Sequence, residues 1–356
     1  MRNRLLTPLL AAVFALTATA FAQVPNITDV TSTPVPGVGH SYLHGLNETV
    51  NPANGSVTLR FCVPVPRGRR LTVPFCIVYN SDGAHFLISR NAGSLVWSES
   101  LSEFGRYSPW SYTVPRVTVQ AVDVALTDGS GGTCRVAVDY VYHGTRGGRH
   151  AVGLSIFGQA PGEAGIDGNC NTAGLTLSTS GGDGPILATT TQVPNNPSGV
   201  PGTFELEPVT VTTADGTRYQ FPSLSGDLLS PADPATVVAS SVEDKNGNTV
   251  PISSNASNVT YTDTLGRTAV ALTNASSTQD SVAVSGVSGQ TLVNWGPQNY
   301  SFNVTMTHVA GTQACTENTN SASDSEIQSI VLPNGDTYSF GYDPTTGLVN
   351  RISYPG

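Results

Sequence analysis

The sequence predicts an all-β protein of antiparallel sheets, with a sandwich-like N-terminal region that leads into β-repeat strands. Three observations support this fold class. Charged residues make up only 12% of a chain that contains 37 glycines and 24 prolines. Short runs of β-branched and aromatic residues alternate with turn dipeptides, and a strand-and-turn unit begins to repeat near the C-terminal end. This profile is typical of short strands joined by tight turns, so we predict no helix after residue 22.

The predicted strands are runs rich in Val, Thr, Ile and aromatic residues, which favour the extended conformation. Asn-Gly and Asp-Gly pairs, such as Asn246-Gly247 and Asn334-Gly335, separate many of them. These pairs tolerate positive φ and favour tight hairpins. The predicted strands cover residues 57–63, 71–79, 116–126, 134–142, 186–193, 203–213, 218–221, 237–243, 259–262, 267–272, 281–284, 300–309, 327–332, 337–342 and 349–354.

The repeat near the C-terminal end has a period of 22 residues, because the segment that begins at Ile330 has a counterpart at Ile352. Such a unit cannot bury its own apolar face and must stack on neighbouring units. We therefore expect residues 231–356 to open a repeat region that continues in a longer protein. The repeat-motif residues are Pro333, Gly335, Tyr338, Phe340, Tyr342, Asp343, Gly347, Pro355 and Gly356.

The N-terminal residues 1–22 are predicted to be a secretion signal. Arg2 and Arg4 precede an apolar run, and Ala20 and Ala22 form a small-x-small cleavage site. We expect cleavage after Ala22, a β-rich leader domain over residues 23–230, and no transmembrane segment in the mature chain. The mature protein is then secreted or held at the cell surface. A net charge of −9 argues against binding to nucleic acid, which requires clustered Lys and Arg.

The mature chain contains five cysteines, and an exported protein can form disulfides. Cys62 and Cys76 lie symmetrically about Arg69 in a predicted turn, so two antiparallel strands would bring them opposite each other. We predict that they form a disulfide, the alternative being two buried thiols. A Cys134–Cys170 pair is a second candidate, which leaves Cys315 free. Without a Cys-x-x-Cys motif or a Cys/His cluster, no metal or cofactor is expected.

The sequence contains no catalytic constellation, so we predict that the protein is not an enzyme. His40 and His44 would lie about 13 Å apart in an extended segment. The loop that starts at Asp244 resembles a calcium loop but has Thr249 and Asn255 where Gly and an acid are needed.

Two tryptophans are candidates for a different role at the surface. Trp97 and Trp110 could stack on sugars if they are exposed. The alternative for both is that they pack in the core or against a sheet.

Three blocks of sequence resemble the N-terminal region of bacterial secreted Rhs/YD-repeat proteins. The first covers residues 39–56 and continues through Val63-Pro64-Val65-Pro66-Arg67-Gly68-Arg69 into residues 71–75 and 79–83. The second is Pro109-Trp110-Ser111-Tyr112-Thr113-Val114-Pro115. The third joins residues 242–248 to residues 262–267, which contain Asp244-Lys245-Asn246-Gly247-Asn248 and Asp263-Thr264-Leu265-Gly266-Arg267 and resemble the D-x-x-G-N and D-x-x-G-R phrases of the repeats. The final residues 332–356 are similar to a YD repeat itself.

This resemblance implies a spiral of β-strands that forms a hollow shell, which in toxin members encloses a C-terminal effector. The repeat-core terminus, the shell autoprotease and the toxin tail of that family have no counterpart in this sequence. The first hypothesis is therefore a non-enzymatic, exported structural protein, the start of a toxin-delivery shell, whose open β edge pairs with further YD repeats or other chains. A stand-alone glycan- or cell-binding module of the cell surface is the alternative, and an extracellular hydrolase is the third hypothesis.

Overall fold

The computed structural model describes residues 43–44, 48–50, 55–90, 94–125, 133–145, 147–154, 156–158, 176–180, 186–191, 208–223, 235–304 and 318–356. Within these ranges the chain forms 25 β-strands and one short 3-10 helix at Ser81–Gly83. All strand pairs are antiparallel, which confirms the predicted fold class. The predicted signal sequence and cleavage site near Ala22 lie outside the described residues.

The first sheet has five strands in the order β1-β2-β3-β4-β7. These are β1 (Leu43–His44), β2 (Glu48–Val50), β3 (Val57–Cys62), β4 (Cys76–Asn80) and β7 (Trp110–Tyr112). Between β4 and β7 the chain forms a separate hairpin of β5 (Phe86–Arg90) and β6 (Ser94–Ser98). Every residue of β4 is buried, so this strand is central in the packing as well as in the sheet. We call the described residues between 55 and 116 the N-terminal layer.

The second sheet has the order β10-β9-β8-β16, and β11 also pairs with β9. Its strands are β8 (Arg116–Ala125), β9 (Thr133–His143), β10 (Arg149–Ala151), β11 (Ile156–Gly158) and β16 (Ala235–Val238). The single strand predicted over residues 237–243 was wrong, because the chain changes sheets there. The Ala239 amide donates to the Pro115 carbonyl at 2.9 Å and the Ser240 amide donates to the Gln220 carbonyl at 2.7 Å. These two bonds direct β16 and β17 (Ser241–Glu243) into different sheets.

The third sheet is a meander of 13 strands, which we call the meander. Its remaining strands are β12 (Thr176–Ser180), β13 (Leu187–Thr191), β14 (Val209–Thr212), β15 (Arg218–Phe221), β18 (Thr249–Ser254), β19 (Asn258–Thr262), β20 (Thr268–Ser276), β21 (Gln279–Val284), β22 (Thr291–Val304), β23 (Asn318–Val331), β24 (Thr337–Tyr342) and β25 (Val349–Ser353). Strands from both sides of residue 231 belong to this sheet. The predicted boundary at that residue lies in a segment outside the described residues.

One type of hairpin turn recurs along the meander. In the turn that starts at Asp244, the Gly247 amide donates to the Asp244 carbonyl and the Asp244 amide donates to the Asn248 carbonyl, both at 3.0 Å. Gly247 has a φ of 79°, which is the left-handed conformation that closes a three-residue hairpin loop. The same two backbone bonds close the turns that start at Thr213, Asp263 and Leu332. Thus the segment that resembled a calcium loop is a hairpin turn.

A single core joins the three sheets. It includes Phe75, which directly precedes β4 of the first sheet, together with Tyr142 of the second sheet and Tyr261 of the meander, none more than 2% exposed. Along β21 the buried residues Asp280, Val282 and Val284 alternate with partly exposed ones, as expected for a strand with one covered face. The N-terminal layer therefore covers one face of the meander.

Candidate functional site at the joint between the N-terminal layer and the meander

The predicted disulfide is present and anchors the N-terminal layer. Cys62 of β3 and Cys76 of β4 are direct register partners and form a disulfide with an S–S distance of 2.01 Å. The antiparallel pairing inferred from their spacing about Arg69 is what brings them together. Cys170 and Cys315, and the side chain of Cys134, lie outside the described part of the chain.

The turn between β3 and β4 docks onto a hairpin turn of the meander. The Arg69 amide donates to Thr264 Oγ1 at 2.7 Å, and Arg267 Nη2 donates to the Arg67 carbonyl at 3.2 Å. A Cβ on Gly68 would lie 2.5 Å from Thr264 Oγ1 and 2.7 Å from the Leu71 carbonyl, so only glycine fits there. The turn between β3 and β4 therefore makes main-chain contacts with another turn, and Arg67 and Arg69 take part through their backbones.

Aromatic side chains form the second contact. Phe61 of β3 packs edge-on against Tyr338 and Phe340 of β24, with ring centroids 5.0 Å and 5.3 Å away. Trp110 of β7 packs against Phe340 at 4.7 Å, and its indole Nε1 donates to the Tyr342 hydroxyl at 2.9 Å. As expected for a strand, Tyr338 and Phe340 share one face.

The candidate role of Trp110 as an exposed sugar-stacking residue was wrong. Its side chain is fully buried because the indole fills the space between the first sheet and β24. Trp295 is also buried, at 5% exposure. The side chain of Trp97 lies outside the described residues, and the backbone there belongs to β6.

A buried carboxylate forms the third contact. Asp280 of β21 accepts hydrogen bonds from Arg106 Nη1 at 2.6 Å, the Tyr112 hydroxyl at 2.7 Å and Trp295 Nε1 at 2.8 Å. The guanidinium of Arg106 also lies 4.6 Å from the Trp295 ring centroid. Burial, and then the neighbouring carboxylate, raises the pKa of Tyr112 well above its ordinary value. Burial of the Asp280 carboxylate away from water is unfavourable unless hydrogen-bond donors and a positive charge compensate it, and these three side chains supply both.

A second buried ion pair lies within the N-terminal layer. Arg116 Nη1 is 3.3 Å from Glu103 Oε2, and neither side chain is more than 2% exposed. Glu103 Oε1 accepts the Tyr112 amide at 2.8 Å, and Arg116 Nε donates to the Leu101 carbonyl at 3.2 Å. These bonds hold the loop before β7 in place, so the pair positions Tyr112 for its bond to Asp280.

Three acidic side chains meet where the N-terminal layer contacts the long β22–β23 hairpin. Glu99 accepts from the Tyr300 hydroxyl at 2.8 Å, and Asp324 of β23 is near enough for its charge to raise the pKa of Glu99 further. Glu326 accepts from Ser108 Oγ at 3.0 Å. Burial is the largest influence on both glutamates, and raises the pKa of Glu99 to about 8 and that of Glu326 well above its ordinary value.

A small cleft lies beside this joint, lined in part by Ser100, Ser111, His143 and Arg149. It has about 20 Å³ of free space, which is room for roughly one water molecule. Burial, followed by the nearby Arg116 and Arg149, lowers the pKa of His143 well below its ordinary value. This cleft is therefore too small to hold a sugar or a peptide.

The repeat-motif residues occupy the turns and strands at the end of the meander. Gly335 and Gly347 take positive φ values of 92° and 72° in the turns on either side of β24. Asp343 Oδ1 accepts the amides of Thr345 and Thr346 at 2.9 Å and 2.8 Å, which closes the second turn. Pro333 is in the first turn, and Pro355 and Gly356 follow β25.

In the part of the chain that the structure describes, no group of three or more His, Cys, Asp or Glu side chains is arranged to hold a metal ion. His40 lies outside these residues, and His44 is described only as part of β1. The same ranges contain no helix with the length and apolar character needed to cross a lipid bilayer.

The sequence matches no protein-family model and no curated protein.

Sequence reasoning did not identify the buried polar residues of the joint. The burial of Asp280 could have been predicted, because period-two alternation places this residue on the same face as Val282 and Val284. Glu99, Glu103 and Glu326 carried no comparable signal, since their burial results from contacts between segments far apart in the chain.

Proposed function

We propose that this chain is a non-enzymatic, exported structural protein of the Rhs/YD-repeat type, whose N-terminal layer anchors the first strands of a β-repeat shell. The observation that carries the proposal is that the first of the three blocks behind the resemblance contacts the other two. The Arg69 amide of the first block donates to Thr264 of the third, and Phe61 of the first packs on Trp110 of the second with ring centroids 6.2 Å apart. Trp110 and Tyr112 also bond to Tyr342 and Asp280 of the meander. The blocks therefore act as one packing unit.

The way hairpins of the meander bury their aromatic residues supports an anchoring role. Tyr338 and Phe340 pack on Phe61 of the N-terminal layer. The similar pair Tyr219 and Phe221 packs on Tyr142 of the second sheet, with ring centroids at 5.1 Å and 6.2 Å. Each hairpin thus covers its apolar face against another sheet, as a repeat unit must.

The partner in this proposal is a further β-strand. Within the described residues β25 pairs only with β24, so its other edge presents main-chain donors and acceptors. A following YD repeat or a strand of another chain would continue the sheet there. In the proposed assembly, the continued strands enclose or present a C-terminal effector.

Export is part of the proposal. The Cys62–Cys76 disulfide is of the kind that persists in an oxidising compartment. The basic start, apolar run and cleavage motif near Ala22 supply a route to it. The mature protein would then be released or held at the cell surface.

The test is the intact mass of the exported polypeptide, together with the reading frame that follows the codon for Gly356. We expect a mass above that of residues 23–356 and a frame that encodes more D-x-x-G hairpins. A matching mass for residues 23–356, in a monomer that melts cooperatively, would contradict the proposal. That result would favour the stand-alone glycan- or cell-binding module, to be pursued with a glycan array.

A further inference from the structure

Positive charge is concentrated in the turn between β3 and β4. Arg67, Arg69 and Arg70 fall within four consecutive positions, and all three are exposed. The whole chain has a net charge of −9, so the charge of this turn is opposite in sign to that of the molecule. Such a distribution makes one surface attractive to anions while the rest of the protein repels them.

The docking of this turn uses main-chain atoms and leaves the charged groups available. The Arg69 amide and the Arg67 carbonyl make the two bonds to the turn that starts at Asp263. Within the ranges that the structure describes, the guanidinium groups of Arg67, Arg69 and Arg70 make no ion pair and no hydrogen bond. Their positive charge is therefore not neutralised by a neighbouring side chain.

The turn on which they dock adds an apolar side chain to the same surface. Leu265 directly follows Thr264, which accepts the Arg69 amide, and at 46% exposure it is the most exposed large apolar residue in the described part of the chain. The carboxylate of this turn is already paired, because Arg267 Nη2 lies 2.6 Å from Asp263 Oδ2. We call the exposed residues of the two docked turns the basic tip: Arg67, Arg69, Arg70 and Leu265.

The backbone of the basic tip is fixed before any partner binds. A Cβ on Gly68 would lie 2.5 Å from Thr264 Oγ1, so the two turns are in close contact. Because the docking bonds involve main-chain atoms of Arg67 and Arg69, the side chains start from a defined position. Binding then costs little backbone ordering.

The neighbouring turn of the meander extends the positive surface. The turns that start at Asp244 and Asp263 join β17 to β18 and β19 to β20, so both lie at one edge of the antiparallel sheet, about 10 Å apart. Lys245 is exposed in the first of these turns. The Asp244 carboxylate accepts bonds from the backbone and side chain of Asn248, so it is occupied within its own turn.

We propose that the basic tip is a docking surface for a membrane that contains anionic phospholipids. Guanidinium groups bind phosphate oxygens through paired hydrogen bonds, which suits Arg67, Arg69 and Arg70 to lipid headgroups. An exposed leucine beside them enters the boundary between headgroups and acyl chains. A soluble acidic polymer would use the arginines alone and leave Leu265 in water, so a membrane accounts for more of the surface.

This docking goes beyond the proposed shell and does not depend on it. The shell continues the sheet at β25, whereas the basic tip lies on the edge formed by the β17–β18 and β19–β20 turns. Membrane binding can be measured on the purified chain, whatever follows Gly356. Failure of one proposal therefore leaves the other intact.

The first experiment measures cosedimentation of the full chain with lipid vesicles. One set is phosphatidylcholine alone, and the other is phosphatidylcholine and phosphatidylglycerol in equal parts. We expect binding only to the second set, and weaker binding as the salt concentration rises from about 0.1 M to about 1 M, because the Debye length falls from about 10 Å to about 3 Å. Absence of binding to the phosphatidylglycerol vesicles at low salt would overturn the proposal.

A charge variant tests whether the basic tip is the surface that binds. Combined Arg67→Gln, Arg69→Gln and Arg70→Gln substitutions should weaken binding by about 100-fold, since each basic residue near an anionic membrane contributes roughly five-fold. The melting temperature should stay that of wild type, because the docking bonds of this turn are made by the backbone. Arg351→Gln, at an exposed position of β25, is the matched control and should bind as wild type. Equal losses for the control and the triple variant would overturn the proposal.

A second variant distinguishes a membrane from a soluble polyanion. Leu265→Ser should weaken vesicle binding by about five-fold, because the exposed part of the leucine no longer leaves water. The same variant should bind inorganic polyphosphate as wild type does, since the arginines are unchanged. If Leu265→Ser binds vesicles as tightly as wild type, the surface recognises anionic polymers in general, and the membrane proposal is wrong.

Discussion

Individual polar residues hold the N-terminal layer on the meander together with the apolar core. Asp280 is fully buried and accepts bonds from Arg106, Tyr112 and Trp295, two of which are about 170 positions away in sequence. Removal of such a carboxylate leaves a buried guanidinium and two buried donors without an acceptor. A cost of this kind far exceeds the net value of an exposed ion pair.

At the residue scale we predict that Asp280→Ala lowers the free energy of unfolding by about 3–5 kcal/mol. The physical reason is the uncompensated Arg106 charge, and chemical denaturation measures the effect. The control is Asp336→Ala in an exposed turn, which should change stability by less than about 0.5 kcal/mol. Similar losses for the two variants would show that Asp280 is not a structural hub.

The hairpin turn is the unit that gives the meander its regularity. Its glycine lies in the left-handed region, and the residue that opens the turn accepts and donates the two closing backbone bonds. In the turn that starts at Asp343, the glycine also faces another strand: a Cβ on Gly347 would lie 2.6 Å from the Tyr300 ring. A Cβ on Gly335 would meet no atom within 4 Å. One turn therefore needs glycine for its conformation alone, and the other also for close packing.

At the element scale we predict that Gly335→Ala lowers the free energy of unfolding by about 1 kcal/mol, because alanine is strained in the left-handed conformation. Gly347→Ala should cost about 1–3 kcal/mol more, because the added methyl group must displace the Tyr300 ring. Thermal unfolding of the two variants side by side measures the difference. If both lose the same stability, the close approach to Tyr300 has no energetic role.

At the scale of the whole molecule, the layer and the meander fold as one body with a shared core. Phe340 is central to this union, since it contacts both Phe61 and Trp110 and is 7% exposed. The hydrogen bonds from Tyr300 to Glu99 and from Ser108 to Glu326 lie in the same interface. Aromatic packing and buried hydrogen bonds therefore both hold the two parts together.

We predict that Phe340→Ala lowers the free energy of unfolding by about 3–5 kcal/mol, as expected for a buried phenylalanine. Tyr354→Ala, at a position that is 41% exposed at the end of the meander, should cost less than about 1 kcal/mol. Denaturant unfolding followed by tryptophan fluorescence measures both, because Trp110 contacts Phe340. A small effect of Phe340→Ala would mean that the layer is held mainly by polar contacts.

The sequence by itself determined the features that depend on short-range geometry. The all-β class, the hairpin turns at Asp244 and Asn334, and the Cys62–Cys76 pair all follow from local conformational preference or from strands joined by a nearby turn. Period-two alternation also placed Tyr338 and Phe340 on one face. Interactions over a few residues are sufficient to specify each of these.

Only the tertiary structure decided which faces meet. It buried Trp110, split the predicted strand over residues 237–243 between two sheets, and brought Glu99 to Asp324. These outcomes depend on how the sheets stack on one another, and the joined residues can be more than 200 positions apart, as Glu99 and Tyr300 are. Local sequence does not specify such packing, because a strand with the same alternating pattern can face a core, a second sheet or solvent.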